Sequence, residues 1–350
     1  MQKLKVAIIG CGKIASLRHA PEYQMNPNVE IVGFYDVDCT RAKSLSEYFG
    51  GQAFSSLSDL IASDAEAVSV CTANIHHAQN TIQLLKAGKH VLCEKPMAVT
   101  PHDCEEMVLE AKKCGKHLLI GLNQRFSAAH TQAREMIVRG DIGKALSFHT
   151  CFAHPGPEIW TGMNNTWFFD KHIAAFGAMA DLGVHKVDLI HYLLGEHISS
   201  VTAQLRTIDK KLPTGELISV DDNGMCILET PSGVIGQLHV SWTNYGQEDN
   251  STTIYGTEGV IKLYADPDHS LVLEKKDGTV IKENPDHQLT NEDQLAGKLQ
   301  NTGVIDEFVS AILDNRPSRL DASESIHAMR VLFASAQSSD FGKKIHIYEE

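Results

Sequence analysis

The sequence predicts an α/β chain in two parts. A doubly wound parallel sheet spans residues 1–123, and an α+β part with an open antiparallel sheet spans 124–350. Three observations carry this. Short apolar runs alternate with helical patterns up to about residue 122. The first run leads straight into Gly10-Cys11-Gly12-Lys13-Ile14-Ala15, a Gly-x-Gly-x-x-Ala turn between a strand and a helix. After residue 123 the pattern changes to period-two runs broken by turn signals such as Pro231-Ser232-Gly233 and Asp277-Gly278.

Taken in order, Leu4 to Ile9 is the first strand and residues 14–25 the first helix. Val29 to Tyr35 is the second strand and ends in Asp36, 21 positions after Ala15. Val68 to Cys71, His90 to Cys93 and His117 to Gly121 complete the sheet, with helices over 40–49, 76–87 and 101–114 between the strands. Gly88 stands where a helix stops, and Thr100-Pro101 reads as an N-cap with proline in the first turn. Helices over 128–139 and 177–194 then precede the runs Ile198–Thr207, Gly224–Glu229, Val234–Trp242, Thr252–Tyr255, Val260–Tyr264 and Leu271–Glu274. The polar stretches 208–223 and 284–302 read as loops, and helices over 303–314 and 321–336 close the chain without an obvious sheet partner.

Composition narrows the class. The apolar fraction of 43% over 350 residues suits a globular protein of two domains. No apolar run reaches the roughly 18 residues that span a bilayer, and Met1 to Lys5 leads into a strand without a signal-peptide pattern. A net charge of -13, from 31 basic and 44 acidic residues, argues against a nucleic-acid partner. Eight scattered cysteines without a Cys-x-x-Cys pair suit reduced thiols and a cytoplasmic home.

The strand ends carry the chemistry. In an open α/β sheet they share the carboxyl edge, where ligands bind. Gly10 allows the tight turn, Gly12 lets a phosphate approach bare backbone, and Ala15 lets helix and strand pack closely. An acid about 20 residues on accepts hydrogen bonds from the adenosine ribose. Asp36 fills that place and favours NAD over NADP, although Arg41 nearby leaves a 2′-phosphate open. The third strand runs out at Thr72-Ala73-Asn74, the fourth at Glu94-Lys95-Pro96 and the fifth at Asn123-Gln124-Arg125. Lys95, just after a buried strand, is either aimed at the crevice or a plain loop lysine, and Glu94 can hold it as an ion pair.

Asp181, His185 and Asp188 fall on one helix face at i, i+4 and i+7. An Asp beside a His orients the ring and raises its basicity, which suits a general base. The same spacing also fits a satisfied core pair, or two metal ligands that lack a third; Asp188 reads as structural.

These residues resemble the glucose–fructose oxidoreductase / inositol dehydrogenase (Gfo/Idh/MocA) family. The matching pieces are Gly10 to Ala15, Thr72 to His77, Ala87-Gly88-Lys89-His90-Val91-Leu92-Cys93-Glu94-Lys95-Pro96, Asn123 to Phe126 and Asp181 to Asp188. The resemblance implies an N-terminal Rossmann domain binding NAD and an α+β domain for substrate and oligomerisation. It implies Lys95, Asp181 and His185 as catalytic residues, and a cis Lys95–Pro96 bond. Gly10, Gly12, Lys13, Ile14, Asp36, Arg41, Thr72, Ala73, Asn74, His77, Glu94, Lys95 and Asn123 would line the cofactor; Ala73 replaces the proline usual in that loop. Lys95, Arg125, Trp167, Asp181 and His185 would meet the substrate, a polyol or sugar. The implied activity is oxidation of a secondary alcohol of a cyclitol or sugar; no third ligand spacing points to a metal, and a broad exposed sheet face favours a homodimer or homotetramer. Relatives that are NAD-dependent glycosidases or non-catalytic sugar sensors supply the alternatives.

Overall fold

The computed structural model describes residues 3–286 and 301–348. The described chain forms two compact units, Met1–Leu122 with Glu292–Ile326, and Asn123–Asn291 with His327–Glu350. The first unit thus takes in a segment from beyond residue 300, which a single division after residue 123 does not include.

The first unit holds a parallel sheet of strands β1 (Leu4–Ile9), β2 (Val29–Tyr35), β3 (Gln52–Ala53), β4 (Ala67–Val70), β5 (His90–Cys93) and β6 (Leu118–Ile120). Their order, β3-β2-β1-β4-β5-β6, is that of the doubly wound dinucleotide fold. Val6, Ala7, Ile8, Val68, Val91 and Leu92 are fully buried, as expected of strands covered on both faces. The two-residue β3 and the short helix Leu57–Ala62 escape the sequence pattern because each is too brief to show a period. The expected first helix is two pieces, a π turn Ala15–His19 and an α-helix Ala20–Met25. Pro21 has no N–H to continue a regular ladder, so the hydrogen-bond register resets there.

The return segment is tied to this unit by its own bonds. Ile120 N–H donates to Leu320 O at 3.0 Å, and Thr302 Oγ1 donates to the buried Glu22. Helix Val304–Leu313 packs against helix Ala20–Met25. Residues 287–300 of the polar stretch 284–302 lie outside the described residues.

The second unit is built on a nine-stranded sheet of β7 (Ala145–Ala153), β8 (Ser200–Arg206), β9 (Asn223–Glu229), β10 (Ile235–Ser241), β11 (Thr252–Gly256), β12 (Gly259–Leu263), β13 (Leu271–Lys275), β14 (Val280–Glu283) and β15 (Ile345–His346). The order is β14-β13-β12-β11-β7-β10-β9-β8-β15. The sheet is mixed rather than purely antiparallel: β7 and β10 pair in parallel, Leu238 opposite Thr150, and the remaining pairs are antiparallel. β7 lies near the middle yet gives no clean alternation, because apolar groups occupy both of its faces. Helices Ala128–Arg139 and Val184–Leu194 pack on this unit, and Val187, Leu189, Ile190 and Leu193 are fully buried.

Candidate active site

In the first unit four backbone hydrogen bonds lock successive strand ends along one edge. Gly10 N–H donates to Tyr35 O, Cys71 N–H to Ile9 O, Glu94 N–H to Val70 O, and Gly121 N–H to Cys93 O, all at 2.8–3.0 Å. Gly10 has φ +83°, and a Cβ there would stand 2.6 Å from the Cys71 and Thr72 backbone, so the turn admits only glycine. Gly12 has open space where its Cβ would be, as close approach of a phosphate requires. The Asp36 carboxylate accepts Cys11 N–H at 2.6 Å and Asp38 N–H at 2.8 Å, which fixes it beside the glycine turn with lone pairs to spare. Arg41 is exposed and pairs with Asp38 at 3.4 Å. Lys13 is exposed, while Ile14, Thr72, Ala73 and Asn123 are half-buried and Asn74 is buried.

The buried His77 ring ties two of these loops together. Its Nδ1 lies 2.8 Å from Pro96 O and its Nε2 2.9 Å from Thr72 O. Burial lowers its pKa, and a neutral ring has one N–H to share between the two carbonyls. The Lys95–Pro96 bond is cis. Lys95 is half-buried, and its backbone N–H donates to Glu94 Oε2 at 3.2 Å.

In the second unit the Asp181–Asp188 stretch is not one regular helix. A π turn, Met179–Gly183, precedes the α-helix Val184–Leu194. The wider π turn changes the bearing of Asp181 relative to His185 from that of an unbroken i, i+4 pair, and single π turns frequently mark functional sites. Asp221 caps the turn, accepting Gly177 N–H at 2.7 Å and Met179 N–H at 2.8 Å. Burial raises the Asp221 pKa against those two bonds. A Cβ on Gly177 would fall 1.8 Å from Asp221 O.

Asp181 Oδ2 accepts the indole N–H of the buried Trp242 at 3.1 Å and faces His154 Nε2 at 3.9 Å. His154 Nδ1 accepts Gly156 N–H at 3.0 Å, so the proton of the neutral ring sits on the nitrogen nearer Asp181. His185 is buried, with its ring 6.3 Å from that of Phe152. Trp167, half-buried, stacks on Phe168 at 4.0 Å, and Phe168 meets Trp242 edge-on at 6.4 Å. Among the described residues, the grouping able to offer three metal ligands is His102, Asp103 and Glu106 on the helix Pro101–Cys114 of the first unit.

Arg125 spends two of its nitrogens inside the unit. Nε donates to Asp188 Oδ2 at 2.7 Å and Nη2 to Asp188 Oδ1 at 2.5 Å, a buried bidentate pair that pins Asn123–Phe126 to helix Val184–Leu194. The fully buried Lys186 donates to Asn250 O at 3.0 Å and Asn250 Oδ1 at 2.9 Å, and burial pushes its pKa down to about 7. Trp242, His154 and Asp221 escape sequence reasoning: Trp242 lies 61 positions from Asp181, and no local spacing links them.

A parallel sheet in this order, a glycine turn and an acid at the second strand end define a Rossmann domain that binds NAD. The residues from 4 to 122 match the oxidoreductase family model for that NAD-binding fold, and residues 130–262 match the Gfo/Idh/MocA C-terminal domain. The chain belongs to the Gfo/Idh/MocA family. It is 34% identical over 199 residues to D-glucoside 3-dehydrogenase of Escherichia coli (strain K12), matching 55% of this chain and 54% of that protein. The chain thus spans about half the length of that relative. It is 30% identical over 260 residues to 1,5-anhydro-D-fructose reductase of Ensifer adhaerens, 73% of each chain. The solved structure of GenD2 from gentamicin A biosynthesis, in complex with NAD, aligns with a TM-score of 0.84 at 25% identity over 100% of this chain and 97% of that one.

Proposed function

We propose that the protein is an NAD-dependent dehydrogenase that oxidises a secondary alcohol of a sugar or cyclitol ring. The observation that carries most weight is the loop Glu94-Lys95-Pro96, held on the same strand edge as the glycine turn and Asp36. Gly10, Gly12, Lys13 and Ile14 hold the pyrophosphate, and Asp36 holds the ribose and favours NAD over NADP. Thr72, Ala73, Asn74, His77, Glu94 and Asn123 line the rest of the cofactor. Bound NAD supplies the hydride acceptor. His185, supported by Asp181, takes the hydroxyl proton. Lys95 donates a hydrogen bond to the same oxygen and stabilises the developing alkoxide. Trp167 meets the substrate, and Arg125 serves the site through its pair with Asp188. Relatives named for sugars and relatives named for inositol both match the chain, which supports a ring alcohol of either kind.

The protein works as a homo-oligomer in the cytoplasm. One face of the large sheet leaves Leu146, Met225, Ile227, Ile235 and Tyr255 exposed, a patch that favours pairing with a second copy. All eight cysteines are free, which suits a reducing compartment. No helix among the described residues is long and apolar enough to cross a membrane.

The experiment is a panel of hexoses, glycosides and inositols with NAD and with NADP, followed at the nicotinamide absorbance band. Net NADH formation supports the reading. Release of a free sugar without net NADH would replace it with an NAD-dependent glycosidase.

A further inference from the structure

Glu94 ends a line of buried hydrogen bonds that lies wholly within the first unit. Tyr23 Oη is 2.8 Å from Ser69 Oγ, Ser69 Oγ is 3.0 Å from His19 Nδ1, and His19 Nε2 is 2.7 Å from Glu94 Oε1. Tyr23, Ser69 and His19 are each at most 3% exposed. An ionised carboxylate only accepts, so His19 Nε2–H donates to it. Ser69 Oγ bonds to both His19 Nδ1 and the Tyr23 hydroxyl and joins them into one line.

The carboxylate is gripped elsewhere too. Lys95 N–H donates to Oε2 at 3.2 Å, and the missing side chain of Gly121 gives the group its room: a Cβ there would stand 2.9 Å from Oε1. The three partners come from separate elements. His19 closes the π turn Ala15–His19, Tyr23 lies on the helix after it, and Ser69 sits inside β4. Apolar side chains would fill these places as well. Burying two hydroxyls and an imidazole costs free energy unless each is bonded, so packing alone does not account for them.

We propose that His19, Ser69 and Tyr23 are positioning residues for the reaction: they hold the Glu94 carboxylate ionised and fixed beside Lys95. The inference rests on the reading of Lys95 given above. Burial by itself raises the Glu94 pKa, but the His19 hydrogen bond, the charge of His19 and the charge of Lys95 outweigh it and bring the group down to about 2. The other titratable groups facing Glu94 are Cys71, Cys93 and His77. Burial holds the two thiols up and the imidazole down, so all three are uncharged near neutral pH. Removing His19 therefore raises the Glu94 pKa, and Glu94 takes up a proton at a higher pH than before.

The test uses the NAD-loaded protein labelled with [δ-13C]glutamate. The Glu94 carboxyl resonance is assigned by its loss in Glu94→Gln and followed against pH. In the wild type it should be flat above about pH 4, two units past its folded pKa. In His19→Phe it should titrate above that pH, and in Tyr23→Phe, which keeps the ring and deletes one hydroxyl, it should move the same way by less. Turnover of the fastest panel sugar should fall about tenfold or more in His19→Phe, as misplacement of a reacting group predicts. KM for NAD should stay within about twofold, and an acid limb should appear in the kcat profile. A flat Glu94 resonance in both variants overturns the proposal, and so does a shifted resonance with unchanged kcat. If His19→Phe does not fold, Tyr23→Phe decides by the same two readings. Lys95→Ala separates the two levels: normal turnover there would remove Lys95 from the mechanism, while the resonance still judges whether the line governs Glu94.

Discussion

Lys95 is the residue on which the proposed chemistry turns. Replacing it by alanine should lower turnover at least about a hundredfold, the scale on which one preorganised donor acts. NAD affinity, read by fluorescence titration, should change little. Asp36→Ser should relax the preference for NAD and let Arg41 meet a 2′-phosphate, which kcat/KM with NAD and NADP would show as a ratio moving toward one. A wild-type preference for NADP would contradict the role given to Asp36. At this scale the sequence is legible where one local stretch decides the geometry. The Gly10 turn, Asp36 at a strand end and the Glu94-Lys95-Pro96 loop all follow from spacing along the chain. The partners of Asp181 do not, because Trp242 and His154 reach it from distant segments and nothing near residue 181 encodes them.

The π turn Met179–Gly183 is the element that aims Asp181, and Asp221 holds its start. Gly177→Ala places a Cβ 1.8 Å from Asp221 O, so the turn and the Asp221 loop must separate. We expect a loss of at least about 2 kcal/mol in stability by denaturant unfolding, in the range of overpacked interiors, with kcat reduced more than KM for NAD is raised. A variant as stable as the wild type would show that the cap is dispensable.

Lys186 gives the α-helix Val184–Leu194 a pH signature. Its folded pKa, about 7, lies below the unfolded value of 10.5, so between those pH values the unfolded chain binds more protons and stability rises with pH. Lys186→Met keeps the length and removes the proton. The difference in Tm between wild type and variant should therefore move in favour of the wild type from about pH 7 upward. A difference independent of pH would mean that Lys186 is charged in the fold. The helix itself is evident from sequence, whereas the π turn before it is not. A π turn adds one residue to an otherwise helical pattern, and the apolar period of residues 177–194 reads the same either way. β7 is hidden for a related reason, since a strand with apolar groups on both faces shows no period of two.

At the scale of the whole molecule, the doubly wound parallel sheet follows from the alternation of strands and helices, but the edge strand β3 and the return of the chain to the first unit do not. Helix Val304–Leu313 is amphipathic in any setting, and its packing against Ala20–Met25 is fixed by partners some 280 positions away, such as Asn26 with Asp306 and Glu22 with Thr302. The exposed apolar face of the large sheet yields a prediction at this scale. Ile227→Lys puts a charge on the middle of that face, between strands β8 and β10. Sedimentation should show an oligomeric wild type and a smaller variant of unchanged fold; a monomeric wild type would contradict the assignment of the face.

We propose hydride transfer from a sugar or cyclitol alcohol to NAD through the group at Lys95 of this Rossmann-based chain. The most direct measurement is NADH formation at the nicotinamide band from the sugar and inositol panel, with wild type and Lys95→Ala side by side. Stoichiometric NADH and oxidised sugar are expected from the wild type, and at least about a hundredfold less from the variant. Free sugar without NADH, or equal rates from the two proteins, would contradict it.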